Sequence, residues 1–144
     1  MRITVLILSL IFLWAGPLLA REKVAGIHSV SGQVDLLRHE EIVPAVPGQD
    51  LFENDILTTG PGSTIGFTFL DGTRVSLGPS SEIQINEYLF KPSQKIFSFD
   101  MYMKKGTAVY SSGIMEKMAP EKIFFKTPTT TVGVRGTRFL VRVN

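Results

Sequence analysis

The chain has 144 residues, with 15 Lys and Arg against 13 Asp and Glu, and it has no cysteine. That length suits one domain, and the missing cysteine excludes a disulfide framework and a lipid-modified cysteine anchor. The near balance of charge leaves no strong electrostatic case for nucleic acid or an anionic membrane, either of which needs basic charge gathered on one face.

Residues 1–20 read as an export signal. Arg2 supplies the positive start, Ile3 to Trp14 is almost wholly apolar, and Gly16-Pro17 breaks any helix. Cleavage is expected after Ala20, which makes the protein periplasmic or secreted. Leu18 is larger than the minus-three position prefers, so the alternative is an uncleaved anchor. The stretch from Ile3 to Ala20, about 18 residues, only just spans a bilayer. It is the one route by which the chain is expected to meet a membrane. Cleavage would leave 14 basic residues against 13 acidic ones. The remaining chain can bury roughly two thirds of its unfolded surface without metal or disulfides.

Residues 21–47 are expected to form an N-terminal β-meander within the same domain as residues 48–144. Ile27 to Val30 and Val34 to Leu37 are extended candidates with Gly32 between them. Arg38-His39-Glu40-Glu41 is a charged tip, after which Pro44 and Pro47 confine Ile42-Val43 to a sheet edge. Asn54-Asp55 makes a turn before a short strand at Ile56-Leu57, and Gly60-Pro61-Gly62-Ser63 turns again. From Thr64 to Leu70, Ile65, Phe67 and Phe69 share one face. Asp71-Gly72 follows, and Val75 and Leu77 resume the alternation. That pattern predicts a hairpin. After the turn at Gly78-Pro79-Ser80-Ser81, Ile83 and Ile85 lead a strand from Glu82 to Tyr88.

Phe97, Phe99, Met101 and Met103 alternate up to Lys105-Gly106, and Ala108 to Tyr110 is expected to follow as the partner of that strand. Ser111 to Pro120 reads as a polar loop or short helical turn, and Lys122 to Lys126 re-enters with Ile123, Phe124 and Phe125. In the final run, Thr127 to Val143, Val132 and Val134 have one parity while Phe139, Val141 and Val143 have the other. A single regular strand would send half of them into water, so a bulge at Gly136 is expected to shift the pleat. Arg138 and Arg142 then face outward with Leu140 between them. Helical spacing never persists beyond two turns after residue 24, and strand signals recur with glycine turns between them. The expectation is an all-β single domain of short antiparallel strands and hairpins, twisted and solenoid-like or sandwich-like.

The closing run Val-Gly-Val-Arg-Gly-Thr-Arg-Phe at residues 132–139 resembles the terminal motif of FecR-type (ferric citrate regulator) domains. Further anchors are Asn54 to Gly60, Phe69-Leu70-Asp71-Gly72-Thr73, Leu77 to Ser81 and Lys105-Gly106. Where the family usually carries Gly-Asp, this chain has Asn54-Asp55, a mild departure because Asn tolerates positive φ. The resemblance covers roughly residues 48–143 and implies a twisted, solenoid-like all-β domain outside the cytoplasm. In signalling members such a domain follows a membrane helix and a cytoplasmic segment that controls a sigma factor. Only 20 residues precede the expected mature region here, so the expectation is a free-standing periplasmic module, either minimal or cut from a longer protein.

No catalytic constellation stands out. His28 and His39 are the only histidines and lack ligand spacing with Glu40 or Glu41, so no metal or cofactor is expected. Ser80-Ser81 and Ser111-Ser112-Gly113 lack the setting of a nucleophile elbow. Asp55 and Asp71 sit where carboxylates cap backbone N–H groups. Lys126, Arg135, Arg138 and Arg142 form a candidate strip for a partner or an anion, against the plainer reading of solvated strand faces. The leading expectation is a non-enzymatic module that binds an envelope protein or a glycan. A component of envelope signalling is the alternative, and a small all-β hydrolase the distant one.

Overall fold

The structure is a computed structural model that describes residue 16, residues 20–136 and residues 138–144. Most of the export signal expected over residues 1–20 lies outside the described residues. Among these residues twelve strands form one sheet: β1 (Ala25–Ser31), β2 (Val34–Arg38), β3 (Glu41–Pro44), β4 (Asp50–Leu51), β5 (Ile56–Thr59), β6 (Thr64–Phe69), β7 (Arg74–Leu77), β8 (Glu82–Lys91), β9 (Ile96–Ser111), β10 (Ile123–Lys126), β11 (Thr131–Gly133) and β12 (Arg138–Val143). One short helix, α1 (Ile114–Met118), follows β9. The protein is all-β, a mostly antiparallel sheet curled into a half-barrel.

Strand β9 joins the two halves of the curl. Its N-terminal part pairs with β8 and, in parallel, with β10, while its C-terminal part pairs with β7 and β12. One half therefore runs β3-β2-β5-β8-β9 with β10 and β11 beyond, and the other runs β4-β1-β6-β7-β9 with β12 beyond. The apolar faces meet between them. Ile65, Phe67, Phe69, Val75 and Leu77 from one half pack with Leu36, Leu57, Ile83, Ile85, Met101 and Met103 from the other. Apart from Ile65 and Phe67, which flank the buried Gly66, each alternates with exposed or half-buried neighbours, as period-two patterning requires.

Ala108 to Tyr110 is not the partner of the preceding strand, as parity had suggested, but its continuation. The buried set passes from Phe99, Met101 and Met103 to Ala108 and Tyr110, an odd-to-even switch made at Gly106. Gly106 has φ of 96°, and a Cβ there would lie 2.0 Å from Ser81 Oγ and 2.4 Å from Ser81 Cα. Only glycine fits this corner, because both the backbone angle and the space refuse a side chain. Ser81 Oγ accepts the Thr107 N–H at 2.9 Å and so fixes the bend.

Two other expectations change for the same reason. Strand β1 pairs with β4 and β6 while β2 pairs with β3 and β5, so Gly32 lies at a corner between halves and the expected meander is confined to β2 and β3. His39 and Glu40 close that hairpin with positive φ of 50° and 63°, the type I′ pattern. At the far end the run from Thr127 to Val143 is not one bulged strand. Strand β11 pairs with β10 and β12 with β9, and Gly136, with φ of 132°, lies on the segment that crosses from one half to the other. Crossing to a new partner resets the parity that a bulge had been invoked to correct. The hairpin at Asp71-Gly72 forms as expected, with Ile65 opposite Leu77 and Phe67 opposite Val75.

Candidate functional site

A sheet that curls without closing leaves edges, and edges carry unpaired backbone donors and acceptors. Among the described residues the ends of the two halves are β3, β4, β11 and β12. They are not equivalent. Strand β4 has two residues and β11 three, too few for a ladder. Strand β3 ends in Pro44, which has no N–H to donate. Strand β12 has six residues, Arg138 to Val143, none of them proline. Every second residue points its N–H and C=O away from β9, towards open space.

The inner face of β12 is anchored. Phe139 stacks on Tyr110 with centroids 4.8 Å apart and meets Phe125 edge-on at 6.0 Å. Tyr110 contacts Phe99, which contacts Phe69 at 4.8 Å, so the phenylalanine of the closing motif is tied into a continuous aromatic chain through the core. Val141 and Val143 pack beside it, half-buried. The outer face shows Arg138, Leu140 and Arg142, and Leu140 is 60% exposed. The cross-strand register sets Arg138 against Ser111 and Leu140 against Val109. One strand further in, Ser111 faces Arg74, which is exposed on β7. Arg74 and Arg138 thus share a row two strand spacings apart, about 10 Å. None of Arg74, Arg135, Arg138 and Arg142 is in an ion pair among the described residues.

The candidate strip is brought together only in part. Arg138 and Arg142 lie on β12, and Arg135 is exposed on the crossing segment. Lys126 lies on β10 in the other half and is paired with Asp100, whose second oxygen accepts a hydrogen bond from Asn86 at 3.0 Å. Its charge is already matched. Arg74 takes its place beside Arg138, and no local signal in the sequence could have found it, because the link runs through β9.

The remaining polar clusters are structural. Asp71 is buried, and its carboxylate accepts from the Thr73 N–H, the Thr73 hydroxyl at 2.8 Å, the Tyr88 hydroxyl at 3.0 Å and the Met115 N–H at 3.1 Å. It pins α1 to the hairpin tip. Asp55 is equally buried and accepts two bonds from Arg38, at 2.9 and 2.7 Å, and one from the Phe52 N–H. Those bonds raise the pKa of Arg38, whose guanidinium also lies over the Phe52 ring. Desolvation pushes the Tyr88 hydroxyl well up, and neighbouring Asp71 adds to the rise. Tyr110 is pushed up to about 12, mainly by burial. Among the described residues its hydroxyl has no hydrogen-bond partner, while nearby Thr73 and Ser112 oppose the rise.

His28 on β1 and His39 at the β2–β3 turn are both exposed and lie in different halves. No group of three His, Asp or Glu among the described residues could hold a metal ion. In a cleft of about 380 Å³ beside Arg21, Glu53 and Tyr88, Arg21 donates to the Glu53 carbonyl and the Glu53 carboxylate accepts the Tyr88 N–H. No helix among the described residues is long and apolar enough to cross a membrane.

Fold and site together define an all-β domain with a packed interior and, at β12, a six-residue, positively charged open edge. The family model described as FecR protein matches residues 55–144, from the buried Asp55 to the end of β12, and the chain belongs to that family. The family is associated with regulators of envelope signalling. No curated protein and no solved structure matches the chain.

Proposed function

We propose that this protein is a non-enzymatic, exported FecR-type binding or scaffolding module of the periplasm, and that it receives a protein partner by strand addition along β12. The observation that carries this reading is the six-residue, proline-free edge of β12, rigidly backed by Phe139. An added strand extends the ladder with backbone hydrogen bonds worth about 0.5–1.5 kcal/mol each, while side-chain contacts choose the partner. A photoreactive side chain at Leu140 in living cells is expected to give a discrete adduct, and one at Ile42, 68% exposed on the β3 edge, is not. Equal labelling at both positions would remove β12 from its role. Cell fractionation tests export: a soluble periplasmic species beginning at Arg21 is expected.

The family's association with envelope signalling favours a second reading, in which the module is one component of a transmembrane regulator. Loss of a transcriptional response on deletion of the gene would support it. An unchanged transcriptome would leave the scaffolding role alone.

A further inference from the structure

We infer that the strand received by β12 is acidic: an extended segment of another protein with Asp or Glu at the alternate positions flanking an apolar residue. The inference rests on the strand-addition reading and adds the chemistry of the partner. Arg138 and Arg142 stand on the outer face of β12 with Leu140 between them, and Arg74 reinforces Arg138 from the same face. None has an ion-pair partner among the described residues, and Glu116, which reaches the crossing segment, accepts the Gly136 N–H there. The spacing of Arg138 and Arg142 is that of alternate outward positions on a strand, about 13 Å apart. An incoming strand presents its own alternate side chains on that face at the same spacing.

A second copy of this chain fits poorly. Antiparallel self-pairing centred on Leu140 sets Arg138 directly opposite Arg142 twice. Centring on Val141 separates the pairs by one position but keeps four guanidiniums on one face. Like charges opposite one another destabilise a sheet, and here no acidic side chain relieves them. A single nucleic acid strand has charge of the right sign. It offers no backbone ladder, however, and the face shows Leu140 and Val109 where stacking would need aromatic rings.

The test is fluorescence anisotropy of the full chain with three labelled probes: a ten-residue peptide alternating Glu with Val and Thr, the same peptide with Lys for Glu, and a deoxythymidine oligonucleotide. The acidic peptide is expected to bind roughly tenfold more tightly than the basic one, from two favourable cross-strand pairs against two unfavourable ones. That ratio should shrink as salt is raised to about 0.3 M. The Arg138→Glu, Arg142→Glu double variant should reverse the preference, and Arg138→Gln, Arg142→Gln should erase it. Circular dichroism melts check that both variants fold. Equal binding of both peptides overturns the acidic partner and leaves strand addition standing. Failure of both peptides to bind overturns strand addition and the inference with it. Oligonucleotide binding as tight as the acidic peptide, lost in the double variant, overturns the inference in favour of a nucleic acid.

Discussion

Replacing Gly106 by alanine should damage the fold severely for a single-methyl change. Two independent costs meet there. A φ of 96° lies in the region that L-residues avoid, which costs about 1–2 kcal/mol. The new Cβ would also sit 2.4 Å from Ser81 Cα, so backbone must move, and forced overpacking costs about 1–3 kcal/mol more. The expected loss is thus about 2–5 kcal/mol, a large part of the roughly 5–15 kcal/mol that holds a domain together. Gly72→Ala is the control. Gly72 also has positive φ, 86°, but nothing lies within 4 Å of its built Cβ, so it should lose only the conformational part. Urea unfolding monitored by far-ultraviolet circular dichroism measures both. The paired variant Gly106→Ala, Ser81→Gly should recover little, since the Cα of residue 81 remains in the way. Equal losses in the two single variants, or full recovery in the pair, would refute the claim that β9 bends there for want of space.

Asp71→Ala leaves the Thr73 and Met115 N–H groups and the Tyr88 hydroxyl without their acceptor, and should cost about 3–5 kcal/mol by denaturant unfolding. Asp71→Asn should recover part of it. Tyr110→Phe should lie within about 0.5 kcal/mol of the parent or above it, because the deleted hydroxyl has no hydrogen-bond partner among the described residues. The same residue predicts alkaline sensitivity: its folded pKa is raised from 10.0 to about 12, so its contribution is complete below 10 and is lost as pH climbs through that window. Tyr88 acts in the same direction. Denaturation midpoints against pH should fall less steeply for Tyr110→Phe than for the parent. Lys126→Met, which breaks a partly buried pair with Asp100, should cost about 1 kcal/mol in the same assay.

What the sequence made legible was local. Ile65, Phe67 and Phe69 before Asp71-Gly72 determine one hairpin whatever the rest of the chain does, and the structure has it. The caps expected of Asp55 and Asp71 are likewise short-range and are present. The strand assignments failed where the chain changes partners without a conspicuous break. Gly106 and Gly136 each accompany a parity switch, which reads equally well as a strand end, a bulge or a corner until the neighbouring strands are known. The parallel pairing of β10 with β9 is a long-range choice that periodicity does not encode. For the same reason Arg138 and Arg142 could be singled out from their alternation with Leu140, whereas Arg74 joins them only through the register of β9.

Sixteen residues of β9 touch four other strands, and this bears on how the chain folds. Neither half can be finished without it, and β1 must find β6 across several intervening turns. Such non-local pairing places folding on the millisecond-to-second scale typical of sheet proteins. It also denies the two halves separate lives. Amide exchange in β2 and in β6 should report one common opening free energy, and a chain lacking β12 should expose the C-terminal part of β9 as a new, apolar-backed edge prone to self-association. The strand offered to a partner is therefore also the shield of the strand on which the whole curl depends.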